Sequence, residues 1–146
     1  MNEKESKNWF ISTSELEGQE IITRGRRHLK YVMDSGKYDE RVEIEWEYNP
    51  LPGGMPTEED DKFMNKIAFE IDESEQAADN TGYLTATYTG RERFFMVFYT
   101  CDIDKFAMIL HKVLENYEKL PIQIGRIKDP DWSDYKEMLK RNGMSE

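Results

Sequence analysis

The sequence of 146 residues contains one cysteine and two histidines, and this scarcity excludes two kinds of site. The single thiol, Cys101, cannot form a disulfide within the chain, and it cannot supply a thiolate zinc site. No apolar run approaches the ~18 residues that a membrane-spanning helix needs. The first ten residues are charged and lack the apolar stretch of a signal peptide. We therefore expect a cytoplasmic protein that folds without a metal or a cofactor.

Basic residues are also few, because 20 Lys and Arg stand against 30 Asp and Glu, and the net charge is −10. The acidic excess is concentrated in residues 39–79, which carry fourteen acidic and three basic residues. A negative field of this size repels nucleic acid and anionic membranes, and it favours basic partners. The composition therefore predicts no nucleic-acid or membrane partner, and it favours a basic protein.

Residues 82–100 contain two apolar runs that predict a β-hairpin, with its turn at Thr89-Gly90-Arg91. The second run, residues 94–99, is apolar at every position, which is typical of a central strand that is covered on both faces. Aromatic residues make up 12% of the chain, enough for a packed interior. A chain of this length suits one domain, so we expect a single domain over residues 1–146, organised around this hairpin.

The segments around the hairpin alternate between strand and helix periodicity. Residues 41–48 alternate apolar and polar side chains and predict a half-buried strand. Thr57 and Asp102 can each cap an amphipathic helix, and residues 122–128 predict a last strand. The order strand, helix, strand, strand, helix, strand predicts an α+β fold, the ferredoxin-like βαββαβ plait, over about residues 41–128.

Further elements flank this predicted plait on both sides. Residues 9–14 and 19–24 predict an added N-terminal β-hairpin, followed by a loop over residues 25–38. The basic cluster between Arg24 and Lys30 has two interpretations, a phosphate site or side chains that are solvated or paired with acidic neighbours, and the second is the commoner case. A short C-terminal helix is predicted to begin with Asp129 as its cap and Pro130 at its first position. The apolar second face of the central strand needs a cover, which the hairpin, the C-terminal helix or a second subunit could supply. A homodimer therefore stays open.

Three stretches resemble the domain-of-unknown-function family 695 over about residues 9–139. They are residues 53–59 (GGMPTEE), the Thr89-Gly90 turn before an aromatic strand that ends in VFY, and residues 129–135 (DPDWSDY). The family has no assigned activity, so the resemblance implies no catalytic residues. The plait is more distantly similar to the B-type regulators of ribonuclease E, which bind and inhibit an endoribonuclease. That similarity is a fold-level analogy.

An acidic surface is the first candidate functional site. It combines one row of the predicted strand 41–48 with the first turn of the following helix: Glu43, Glu45, Glu47, Glu58, Glu59, Asp60 and Asp61. Carboxylates at every second position of one strand do not converge on a cation, so we expect no metal there. The hypothesis is a non-catalytic binding or regulatory module that engages a basic protein through this surface.

A pocket is the second candidate, formed by the glycine-rich loop and the C-terminal helix: Gly53, Gly54, Met55, Trp132 and Tyr135. It would make the protein a small-ligand binder or an enzyme. No serine, threonine or cysteine lies in a recognised nucleophile motif, so no catalytic residue is assigned. Trp132 has two competing interpretations. Either it is buried and structural, or its indole is accessible beside a cleft.

Overall fold

The computed structural model describes residues 8–144, which form a six-stranded antiparallel sheet with four helices. The strands are β1 (Trp9–Leu16), β2 (Gln19–Arg26), β3 (Glu40–Glu47), β4 (Gly82–Gly90), β5 (Arg93–Thr100) and β6 (Ile122–Lys128). The helices are α1 (Lys30–Asp34), α2 (Glu58–Ala77), α3 (Ile103–Leu114) and α4 (Ser133–Arg141). The order across the sheet is β1-β2-β4-β5-β3-β6, so the chain forms a mixed α and β fold.

Strand β5 lies inside the sheet, between β4 and β3, and is buried on both sides as its sequence predicts. Phe94, Met96 and Phe98 point to one face of the sheet, which we call the first face. Val97 and Tyr99 point to the opposite, second face. The predicted hairpin is confirmed, because β4 and β5 pair antiparallel from Gly82 with Thr100 to Gly90 with Arg93.

The first core fills the space between the first face and helices α2 and α3. Apolar side chains of β3, β5, α2 and α3 lie in it, each at most 6% exposed, and they include Trp46, Ile67, Phe94, Phe98, Phe106, Leu110 and Val113. Both helices begin where their caps predict. The Thr57 hydroxyl accepts a hydrogen bond from the Asp60 amide at 3.1 Å, and the Asp102 carboxylate accepts one from the Lys105 amide at 3.1 Å.

The second core lies between the second face and helices α1 and α4. Trp132, which is 1% exposed, stacks on Tyr99 with ring centroids 4.3 Å apart. Its indole N–H donates to the Tyr38 carbonyl at 2.7 Å. The burial that the structural interpretation of Trp132 predicts is therefore confirmed, and the chain itself covers this part of its second face.

The structure corrects two boundaries before and within the central hairpin. Residues 25–38 are not a loop throughout, because β2 extends to Arg26 and α1 follows. Helix α1 forms where Leu29 and Val32 reach the second core. The hairpin turn lies at Arg91 and Glu92, whereas the predicted turn is centred on Gly90. The turn falls later in the chain because β4 stays paired as far as Gly90.

The expected start of the C-terminal helix is also wrong. Helix α4 begins at Ser133, and Trp132 before it has a left-handed backbone with φ of 53°. Trp132 leaves the helical path at the point where its ring turns inward to stack on Tyr99. Asp129 still satisfies the first turn, since its carboxylate accepts from the Ser133 and Asp134 amides at 3.0 and 3.1 Å.

A buried carboxyl group lies near the end of α2. Glu75 is fully buried, the Thr81 hydroxyl donates to its Oε1, and its Oε2 has no hydrogen-bond partner among residues 8–144. Burial raises the pKa of Glu75 to about 7, and the nearby Asp72 charge adds to this. The folded state therefore binds this proton more tightly than the unfolded chain, whose Glu pKa is about 4.3.

We predict that Glu75→Gln removes a pH-dependent loss of stability. Protonated Glu75 contributes its full share to the stability of the fold below the pKa of the unfolded chain. This contribution is lost as the pH rises through about 7. When the pH rises from 4.5 to 8, the free energy of unfolding of the parent should fall by up to roughly 3 kcal/mol relative to that of the variant. Urea denaturation at both pH values measures this difference. Glu73→Gln is the control, because Glu73 is an exposed neighbour on the same helix. If the stability of Glu75→Gln depended on pH in the same way as that of the parent, the raised pKa would not belong to Glu75.

We also predict that Trp132→Ala destabilises the fold by about 3–5 kcal/mol, because it opens a cavity beside Tyr99 in the second core. Chemical denaturation measures the free energy of unfolding. Met108→Ala is the control, since Met108 is 62% exposed and its truncation should change stability by less than about 0.5 kcal/mol. A Trp132→Ala protein as stable as the parent would show that this anchor does not hold the second core.

Candidate functional site

Three chain reversals meet at one end of the sheet, which we call the turn end. They are the turn between β1 and β2, the turn between β4 and β5, and the loop over residues 48–57. The Arg91 guanidinium lies 2.7 Å from the Glu17 carboxylate, and the Glu92 amide donates to the Gly54 carbonyl at 2.9 Å. These two contacts join all three reversals into one structure.

The turn between β4 and β5 has strained backbone geometry. Arg91 and Glu92 both have positive φ, 52° and 71°, although neither is a glycine. A two-residue turn with left-handed residues at both positions matches the twist of a hairpin, but it favours Asn-Gly. Left-handed conformations cost other residues roughly 1–2 kcal/mol each. The surrounding structure must therefore hold this turn in place.

Gly54 supplies that support. A Cβ at this position would lie 3.2 Å from the Arg91 Cα, and φ is +91°, so glycine is needed both for approach and for conformation. The Gly54 carbonyl also accepts from the Tyr48 hydroxyl at 2.6 Å. Burial raises the pKa of Tyr48 to about 12, so this phenol remains a donor at neutral pH. Gly53 is exposed, and Met55 is half-buried beside it.

A cavity of about 400 Å³ lies on the second face at the turn end. Its lining is apolar across the floor and one wall, with two arginines near the rim: Leu16, Ile21, Tyr88, Thr89, Gly90, Arg91, Arg93 and Phe95. Tyr88 and Phe95 form a cross-strand pair on β4 and β5. Burial raises the pKa of Tyr88 to about 12, so its hydroxyl is neutral and the floor carries no charge of its own. The volume falls within the range of about 300–1,000 Å³ that is typical of ligand pockets.

The structure splits the predicted acidic surface between the two faces. Glu43, Glu45 and Glu47 lie on the second face, whereas Glu58, Glu59, Asp60 and Asp61 begin α2, which packs on the first face. Arg93 lies 3.3 Å from the Glu45 carboxylate and 3.7 Å from that of Glu47, and so holds both near the turn end. Glu43 lies farther along β3, where Arg41 contacts it at 3.2 Å.

The turns bring further acids to the same end that the sequence analysis missed. We define the turn-end acids as the following set: Glu15, Glu17, Glu20, Glu45, Glu47, Glu58, Glu59, Asp60, Asp61 and Glu92. Among residues 8–144, four cations contact members of this set: Arg24, Lys62, Arg91 and Arg93. Two predicted turns, one between residues 14 and 19 and one at Thr89-Gly90-Arg91, lie next to the missed acids in the sequence, but they do not indicate that the two turns share one end of the sheet.

The two halves of the predicted pocket lie apart. Gly54 contacts the turn at Arg91, whereas Trp132 stacks on Tyr99. Tyr99 and Arg93 are six residues apart on β5, so the two halves are separated by roughly 20 Å. Tyr135 donates to the Arg26 carbonyl at 2.7 Å and belongs to the second core with Trp132. These two aromatic residues therefore serve the fold, and Gly54 supports the cavity at the turn end.

Residues 8–144 hold no group of three or more His, Cys, Asp and Glu side chains that could bind a metal ion. Cys101 is exposed, with its Sγ 3.8 Å from the carbonyls of Asn80 and Thr81. No helix in this range has the length and apolar character to cross a membrane.

We predict that Gly54→Ala costs at least about 1 kcal/mol more than Gly53→Ala. Both glycines have positive φ, but a Cβ at Gly53 meets nothing within 4 Å, whereas one at Gly54 meets the Arg91 backbone. The comparison therefore separates close approach from backbone conformation. Urea denaturation measures both variants. Equal losses of stability would show that Gly54 is not needed to seat the turn.

A family model described as Family of unknown function (DUF695) matches residues 7–140. The match includes the Gly54 loop, the hairpin turn and the start of α4. No curated protein sequence and no solved structure gives a match. Because the family model covers nearly the whole chain, this protein belongs to the Family of unknown function (DUF695).

Proposed function

We propose that this protein is a non-catalytic binding module that engages a basic segment of a partner protein at its turn end. One observation carries the proposal. Acids from four separate segments of the chain, residues 15–20, 45–47, 58–61 and 92, lie around one end of the sheet. Clustered charge of one sign steers an oppositely charged partner and fixes its orientation.

The surface keeps negative charge after its internal ion pairs are counted. Within residues 8–144, Glu15, Glu20 and Glu59 are exposed and form no ion pair. Exposed ion pairs contribute only about 0–1 kcal/mol each to stability. A partner can therefore displace them, and the paired acids can also take part in binding. An incoming lysine or arginine can therefore share the Glu45 and Glu47 carboxylates with Arg93.

We propose in addition that β3, α2, β4, β5, α3 and β6 form a ferredoxin-like plait. The spatial order β4-β5-β3-β6, with α2 and α3 both on the first face, supports this assignment. The N-terminal hairpin extends that sheet beyond β4. A plait also fits the distant resemblance to the B-type regulators of ribonuclease E, which act by binding a protein. This analogy supports binding as a role and identifies no partner.

The test compares two triple variants that remove the same charge from opposite ends. Glu20→Gln, Glu47→Gln and Glu59→Gln together neutralise turn-end acids. The matched control combines Asp79→Asn, Asp104→Asn and Asp131→Asn, which lie in exposed positions at the end where α2 stops and α3 and α4 begin. A fluorescent octalysine peptide is the probe, and its anisotropy is followed at 50 mM and 200 mM salt.

We expect the turn-end variant to bind the peptide at least about ten-fold more weakly than the parent, a loss of roughly 1.4 kcal/mol. The control variant should stay within two-fold of the parent. Affinity should fall as the salt concentration rises, because screening weakens exposed charges. Equal weakening of both variants would mean that the peptide senses net charge alone, and the proposal would then be wrong.

A further inference from the structure

The apolar cavity at the turn end has no part in the charge argument, yet it opens among the turn-end acids. We propose that it is a socket for one large apolar side chain of the basic segment that the surface engages. This inference rests on the proposed function, because it assumes the same partner segment. It adds that the segment carries an aromatic or bulky aliphatic residue between its cations.

The shape and lining of the cavity fit such a side chain. Tyr88 and Phe95 form the floor, and Ile21 and Leu16 form a wall toward the N-terminal hairpin. Leu16 is 51% exposed, so apolar surface remains uncovered at the opening. Buried aromatic anchors in pockets commonly contribute most of the binding energy of a protein interface. A volume of about 400 Å³ gives one such side chain room.

The carboxylates around the cavity favour a segment that carries cations on both sides of the apolar side chain that enters it. Two arginines line the rim, but each is already neutralised. Arg91 pairs with Glu17, and Arg93 contacts both Glu45 and Glu47. A basic segment therefore meets carboxylates on two sides of the cavity. A free apolar molecule would fill the cavity but would leave these carboxylates unused.

The strained turn at Arg91 and Glu92 borders the same cavity, and it supports the proposal independently of charge. Arg91 lines the cavity, and it and Glu92 keep positive φ because Gly54 and Glu17 hold them. Strain of this kind persists where the structure over-determines it, and it is concentrated at binding and active sites. Here it fixes the rim before the partner arrives. A preformed rim lowers the ordering cost of binding.

The experiment uses two pentapeptides, one with tryptophan between two lysines on each side and one with alanine in its place. Titration calorimetry at 50 mM salt measures both affinities for the parent protein. We expect the tryptophan peptide to bind at least ten-fold more tightly. Amide NMR shifts should place its ring beside Tyr88 and Phe95.

Variants locate this preference on the protein. Leu16→Ala and Phe95→Leu each alter the socket and should reduce the preference for tryptophan at least three-fold. Ile11→Ala is the matched control, because Ile11 is 67% exposed on the same strand but faces the other side of the sheet. It should leave the preference unchanged. Since Leu16 and Ile11 are both exposed, neither substitution threatens the fold.

The outcomes separate the two proposals. Equal affinity of both peptides for the parent would overturn the socket and leave the charge proposal standing. Absence of binding by both peptides would overturn the socket, and the octalysine comparison then decides the charge proposal separately. If N-acetyltryptophanamide binds as tightly as the tryptophan peptide, the cavity is a small-ligand site and the basic segment is not its occupant. A preference that survives both Leu16→Ala and Phe95→Leu would place the anchor elsewhere.

Discussion

A largely buried ion pair between Arg26 and Asp72 joins the sheet to its longest helix. Arg26 on β2 lies 3.2 Å from the Asp72 carboxylate on α2, and that carboxylate also accepts from the Leu84 amide on β4 at 2.8 Å. Burial raises the pKa of Asp72, and the Arg26 charge opposes this shift. The guanidinium lies 5.6 Å from the ring of Trp9 and 5.7 Å from that of Tyr83. Removing either charge would leave the other buried and unpaired, a loss of about 3–5 kcal/mol.

The geometry of the turn end depends on the register in which β2 pairs with β4. The N-terminal hairpin lies beside β4 with Gly25 opposite Ala86 and Ile22 opposite Thr89. A slip of one residue would turn Ile21 away from the cavity, since successive side chains alternate between faces. The same slip would move Glu17 away from Arg91. The proposed binding surface thus depends on a strand pairing that is fixed several residues away, in the interior of the fold.

The sequence predicts the central hairpin well because burial leaves a local signature there. An apolar residue at every position of β5 needs two covered faces, and no distant contact is required to see this. The sequence does not predict that Gly54 approaches Arg91, or that Glu17 pairs with it 74 positions away. These contacts depend on how strands align across the sheet. Trp132 shows the same limit, because Asp129 and Pro130 favour an earlier helix start, which stacking on Tyr99 overrides.

The aromatic stack of the second core and the proposed recognition surface lie at opposite ends of the sheet. At one end, Trp132 stacks on Tyr99, whose hydroxyl donates to the Asp129 carboxylate at 2.6 Å. Burial disfavours the charge on Asp129, but its hydrogen-bond donors outweigh this and lower its pKa. The turn end instead carries a strained turn, exposed acids and an open cavity. Packing at the first end offsets the strain at the second. Neutralising Glu20, Glu47 and Glu59 should therefore change binding without unfolding the chain, because all three side chains are exposed and lie outside both cores.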